Sequence, residues 1–164
     1  LLRGNFRKVP TSIRPPWAIP ENDFVDRCAR RNDCRDACPE GIIIPGQSGF
    51  PAIDFKTGAC TFCKACAEAC PTGALSLGAT ADGIAPAPWS LALEVKESCL
   101  NAKGVVCRIC EGKCETEAIR FGFSTAWGRP RIDADACNGC GACVAPCPVG
   151  ALVLAPAEKE PSYA

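Results

Sequence analysis

Histidine and methionine are both absent from this 164-residue chain, and aromatic side chains are few: one Tyr, three Trp and seven Phe. Without histidine there is no haem attachment through C-x-x-C-H, no Rieske-type ligation and no zinc site of the Cys/His kind. An excess charge of one sign is missing as well. Eighteen basic residues balance eighteen acidic ones, which leaves no footprint for nucleic acid or an anionic membrane. The one local asymmetry is the basic start, with Arg3, Arg7, Lys8 and Arg14. No apolar run is long enough to span a bilayer, so no transmembrane segment is expected. The 48% of apolar residues is supplied in large part by cysteine and alanine, so side chains alone would build a thin core. Such a chain needs an inorganic staple, and metal binding and folding then share one free energy.

Cysteine is what the chain has in excess: fifteen residues, in four groups. Two groups share one pattern, Cys60-x-x-Cys63-x-x-Cys66-x-x-x-Cys70-Pro71 and Cys137-x-x-Cys140-x-x-Cys143-x-x-x-Cys147-Pro148. That spacing, closed by a proline, is the ligand run of a bacterial [4Fe–4S] ferredoxin. A disulfide framework fits poorly, because the total is odd and the triplet spacing brings successive thiolates onto one compact object. Zinc ribbons use two separated C-x-x-C pairs, not three cysteines in succession. The residues therefore point to iron–sulfur clusters and electron transfer. They show no base, nucleophile or substrate pocket that would make an enzyme.

The four groups begin at Cys28, Cys60, Cys99 and Cys137, a period of roughly 32–39 residues, so the chain is an internal repeat. Each copy reads as an extended segment, a cysteine loop, a short helical turn and a second extended segment. Strand-like stretches are Ile53–Phe55 and Ala74–Leu77 around the second group, and Leu91–Val95 and Ile119–Phe123 around the third. Arg131–Asp133 and Ala151–Leu154 flank the fourth. The predicted fold is α+β, two tandem two-cluster ferredoxin-like units. The expected divisions are a basic proline-rich arm over 1–23, unit one over 24–79, a linker over 80–88, unit two over 89–155 and a flexible tail over 156–164. The arm carries no ligand, and Arg14, Trp17 and its prolines suit docking to a partner.

Two ligand partitions are open. In two-cluster ferredoxins the fourth cysteine of each run ligates the other cluster. Cys60, Cys63 and Cys66 would then take Cys38, and Cys137, Cys140 and Cys143 would take Cys114. Otherwise each run keeps its own four. Gly139 and Gly141 either aim amides at the cluster or merely permit the tight loop, and Phe62 either excludes water or merely packs.

The third group, Cys99, Cys107, Cys110 and Cys114, has its first gap widened by Asn101, Ala102, Lys103 and Gly104, and Glu115 replaces the proline. A cluster is favoured there over a set of free thiols. The first group is the odd one. Cys28, Cys34 and Cys38-Pro39 fit, but Arg31 stands where the second cysteine belongs. A guanidinium has no lone pair for iron. Three outcomes follow: a [3Fe–4S] cluster on Cys28, Cys34 and Cys70; a [4Fe–4S] cluster completed by Asp33, Asp36 or solvent; or none. The first is preferred. At least two [4Fe–4S] clusters, and a third at the widened group, are expected in all.

The layout resembles the ferredoxin-type NapF family of bacterial periplasmic nitrate reductase systems. The likeness covers almost the whole chain and rests on Ser12-Ile13-Arg14-Pro15-Pro16-Trp17, the run from Cys60 to Pro71, the spacing from Cys99 to Cys114, and Cys137-Asn138-Gly139-Cys140-Gly141-Ala142-Cys143 through Pro148. Arg31 departs from the family's pattern. The resemblance implies a cytoplasmic accessory protein that meets the catalytic molybdenum subunit before export and helps mature its iron–sulfur centre. The other reading is an electron-transfer subunit of a respiratory complex.

Overall fold

The repeat folds into two halves with the same plan. The computed structural model describes residues 12–78, 86–122 and 128–157. Arg3, Arg7 and Lys8 of the basic start, most of the expected linker, Phe123 of the strand over 119–123, and the end of the tail lie outside the described residues.

In the second half, β3 (Leu91–Val95) precedes its first cysteine run and β6 (Leu152–Pro156) follows its last; they pair antiparallel, with Leu93 opposite Leu154 and Val95 opposite Leu152. Between them, β4 (Ile119–Arg120) pairs with β5 (Arg131–Ile132). The first half repeats the inner pair as β1 (Ile43–Pro45) against β2 (Pro51–Ile53). Its outer pair shrinks to a single bridge, Ala18 to Leu75, flanked by Ile19 N–H to Ala74 O (3.1 Å) and Ser76 N–H to Trp17 O (2.9 Å). The strand expected over Ala74–Leu77 is thus one bridge long. Its partner stretch carries Pro15, Pro16 and Pro20, which have no amide to extend a ladder.

Each helix is short and does one job. After α1 (Glu21–Arg27), α2 (Asp33–Asp36), α3 (Ala65–Glu68) and α4 (Ile109–Gly112) each carry one cysteine, Cys34, Cys66 and Cys110. Past the last cysteine of every run the chain makes the same left-handed turn. Gly41, Gly73 and Gly150 take it in three copies, and Glu117 takes it with φ of 54° in the remaining one.

The core belongs mainly to the first half, with Trp17, Phe24, Ile42, Ile43, Phe55 and Leu75 buried together. The second half has Ile119, Leu152 and Cys143 as its own cluster. Leu93 packs against both clusters, so the β3–β6 ribbon joins the halves.

Residues 12–20 do not form the free docking arm that their composition suggested. Pro15 and Pro16 are fully buried and Trp17 is 8% exposed. Trp17 is tied to the segment entering the second half by N–H to Pro88 O (2.6 Å) and Nε1–H to Pro86 O (3.2 Å). Arg14 holds Glu21 through two hydrogen bonds of 2.6 and 3.0 Å and lies over the rings of Phe24 and Phe50. Apolar prolines and a tryptophan gain more from burial in a chain short of large side chains than from display to a partner.

Candidate metal centres

All fifteen cysteines are free thiols; cavity linings and neighbouring thiols group them in four sets, each drawn from two runs. Cys28, Cys34 and Cys70 share a cavity with Phe24, Arg31 and Asp33. Burial first, then the facing Cys28 and Cys70, pushes the Cys34 thiol up to about 11. Cys38, Cys60, Cys63 and Cys66 line a second cavity, closed by Pro16, Trp17 and Ile42. Cys99, Cys107, Cys110 and Cys147 line a third. In the fourth set, burial and then the neighbouring Cys114 and Cys137 raise Cys140, against an opposing hydrogen bond from the Ala142 amide. Cys143 rises to about 12, through burial and then Cys140, with Cys110 and Cys137 adding to it.

The widened gap of the third run does not displace its cysteine. Residues Asn101–Lys103 form a short 3-10 turn, and the buried Asn101 pins it by donating from Nδ2 to Gly128 O at 2.7 Å. Ala102, Lys103 and Gly104 stay exposed, and Cys99 still lines the cavity of Cys107 and Cys110.

Thiols also face one another between sets, which fixes the order of the sites in space. Cys66, raised to about 12 by burial and then by Cys60 and Cys38, also feels Cys34 of the first set. Cys143 of the fourth set feels Cys110 of the third. Cys60 is raised to about 11, chiefly by burial, and among the thiols that add to this is Cys140 from the other half; the Cys60 amide donates to the Cys140 carbonyl at 2.8 Å. The sites run first, second, fourth, third.

The junction between the second and fourth sites is walled by aromatic rings. Trp89 meets Phe55 edge-on at 5.7 Å and Phe62 at 5.8 Å, and its Nε1–H donates to Asn138 O at 3.1 Å. Both loop glycines are pressed against this wall. A Cβ at Gly139 would stand 2.7 Å from Trp89 Nε1, and one at Gly141 would stand 2.6 Å from Cγ of Phe55. Phe62 packs, and its amide also donates to Cys60 Sγ at 3.4 Å. The sequence reading did not single out Trp89 and Phe55. Their one trace is the glycine pair at 139 and 141, which leaves room for something large.

The donors fit an iron–sulfur cluster. Three or four thiols face each cavity, and amides are aimed at sulfur: Leu75 N–H to Cys70 Sγ at 3.4 Å and Ala151 N–H to Cys147 Sγ at 3.2 Å. Burial works to raise the Cys70 thiol, but hydrogen bonds from Leu75, Thr72 and Ala74 outweigh it and hold it below its ordinary value. Groups that stabilise a thiolate in this way also stabilise it as a ligand to iron.

Comparison with known proteins agrees with this chemistry. The 4Fe–4S dicluster domain matches twice, over residues 14–75 and 104–151. The ferredoxin-type protein NapF of Escherichia coli (strain K12) is 40% identical over 154 residues, covering 93% of this chain and 90% of that protein. The chain belongs to the NapF family of ferredoxin-type proteins. The NapF of Haemophilus influenzae is 38% identical over 93% of this chain and 84% of its own length. The family has wider relatives: the methylamine utilization ferredoxin-type protein MauM of Methylorubrum extorquens is 35% identical, over 91% of this chain and 74% of that one. As a family member the chain is an iron–sulfur electron-transfer protein with several [4Fe–4S] clusters, built of two tandem dicluster domains of small strands and helices. Among the described residues no helix is long and apolar enough to cross a membrane.

Proposed function

We propose that the chain carries electrons along its line of sites and uses them, in the cytoplasm, to help mature the catalytic molybdenum subunit of a periplasmic nitrate reductase before export. The observation that supports the partner is the 40% identity to NapF, which extends through both halves and is not limited to the cysteine runs. In this reading Cys38, Cys60, Cys63 and Cys66 hold one [4Fe–4S] cluster, Cys114, Cys137, Cys140 and Cys143 a second, and Cys99, Cys107, Cys110 and Cys147 a third. Bound there, the clusters supply one-electron chemistry. The chain's own residues space them, bury them and keep water from the junction. The protein is not an enzyme in this scheme; it delivers electrons to another protein's chemistry.

A second reading has a specific observation behind it. The MauM relatives show that this layout also serves a system not named for nitrate, and a linear order of sites suits a wire between a donor and an acceptor. Equilibrium binding to the catalytic nitrate reductase subunit separates the two. A maturation protein binds the subunit lacking its iron–sulfur centre at least tenfold more tightly than the finished one. Equal affinity for both forms would favour the wire.

A further inference from the structure

The loop around Arg31 keeps the backbone of a cluster-binding run although its second cysteine is gone. In the complete run from Cys60, the residues either side of Cys63 are left-handed, Phe62 with φ of 55° and Lys64 with φ of 68°. In the complete run from Cys137, the same places fall to Gly139 and Gly141, with φ of 74° and 79°. In the first run, Arg30 and Asn32 repeat those angles at 55° and 68° on either side of Arg31. Arg30 is neither glycine nor asparagine, so it holds an unfavourable conformation that a free surface loop would relax. Cys28, Cys34 and Cys70 face one cavity, as the thiols of the second and third sets face theirs.

The fourth corner has no thiol. Arg31 lies in the cavity wall and pairs with Asp33, Nε to Oδ2 at 3.3 Å, with 67% of its side chain exposed. Asp36, the other carboxylate of this loop, turns to Arg35 at 2.9 Å and does not line the cavity. Arg30 also borders the cavity, with its guanidinium over the Phe50 ring, 5.1 Å from its centre. The corner under Arg31 is therefore the accessible one.

We propose that Cys28, Cys34 and Cys70 hold a cluster by three thiolates alone, and that the corner under Arg31 takes up and gives back a fourth iron as ferrous ion. The balance is simple. One electron from a reductant such as dithionite converts [3Fe–4S]+ to [3Fe–4S]0, and added Fe2+ then gives [4Fe–4S]2+ with no further electron. Oxidation by ferricyanide reverses both steps, releasing Fe2+ and passing one electron to the oxidant. Arg31, a fixed positive charge beside the corner, favours the reduced core and repels the incoming cation, so the fourth iron is held weakly. The inference rests on this loop and does not depend on the protein's partner.

The test is EPR and iron content on anaerobically purified, fully loaded protein. Oxidised wild type shows the near-isotropic signal of a three-iron cluster at about one spin per chain, lost on adding dithionite with Fe2+ and regained with ferricyanide. Arg31→Cys supplies the missing thiolate, abolishes the signal and adds one iron. Arg31→Ala keeps the signal, which separates a gained ligand from a lost arginine. A signal that persists in Arg31→Cys, or vanishes in Arg31→Ala, would overturn the assignment. So would wild type that lacks the signal and gains it in Asp33→Asn, which would make Asp33 a ligand. An iron content unchanged by Cys28→Ala would show an empty site and overturn it too.

Discussion

Adding one methyl group at Gly141 tests whether the two halves share a packed junction or merely touch. Two costs apply, and they can be separated. Gly141 has φ of 79°, where a residue with a Cβ is strained by about 1–2 kcal/mol. The new Cβ would also press into the Phe55 ring, which is buried and backed by Trp89 and cannot swing aside freely. Forcing a methyl into a packed site costs about 1–3 kcal/mol. Together Gly141→Ala should lose about 2–5 kcal/mol, whereas Gly73→Ala, with φ of 69° and nothing within 4 Å of its Cβ, should lose the conformational part alone. The assay is the rate at which visible cluster absorbance bleaches in denaturant under argon, since cluster loss makes unfolding irreversible and a rate is then the measure of stability. At 1.4 kcal/mol per decade, Gly141→Ala should bleach roughly five- to a hundredfold faster than Gly73→Ala. Equal rates would refute the packed junction.

Other perturbations address separate parts of the argument. Trp17→Ala should cost about 3–5 kcal/mol and lower the iron content by one cluster, because Trp17 closes the cavity of Cys38, Cys60, Cys63 and Cys66; full iron content would show that Trp17 does not seat that cluster. Chelating the iron should abolish near-UV circular dichroism and any cooperative melt, the second half having, among the described residues, little beyond Ile119 and Leu152 to hold it; a sharp apo transition would contradict this. Asn101→Ala should release the widened turn of the third run and make its cluster the first to bleach, leaving the others intact by EPR; uniform bleaching would show that the turn is not what seats Cys99.

The features legible in the sequence are those that repeat. Cysteine spacing, the proline after the run and the alternation at Leu91–Val95 are local, and the fold uses each in the form the pattern suggests. What escaped notice is carried by contacts between residues far apart in the chain. Trp17 against 86–88, Phe55 against Gly141 and the Cys60 amide on Cys140 have no periodic trace. Trp17 misled for a physical reason: an aromatic among prolines and arginines has the composition of a docking surface and of a buried wedge alike, and only its neighbours tell them apart. The sequence leaves the glycines at 139 and 141 either to aim amides at the cluster or to permit a tight loop; their positive φ fits the loop, and the room they leave for Trp89 and Phe55 is a role neither reading named.

The irregular runs and the regular ones occupy different places in the line of sites. The complete runs from Cys60 and Cys137 contribute the thiols that meet at the junction, where the Cys60 amide, Gly139, Gly141, Phe55 and Trp89 leave no slack. A loop wedged between two packed bodies cannot lengthen or lose a turn without moving both. The run that lacks a cysteine and the run with the widened gap each serve an outer site, whose far side is solvent. Arg31 is 67% exposed there, and the exposed Val105 and Val106 border the widened turn at the other end. An outer loop can change length or donor with only local adjustment, and such changes alter the charge and solvation that set a cluster's potential. The packing thus keeps the two inner sites alike and lets the two ends differ, so the structural constraint on loop length and donor type is strict at the junction and loose at the ends.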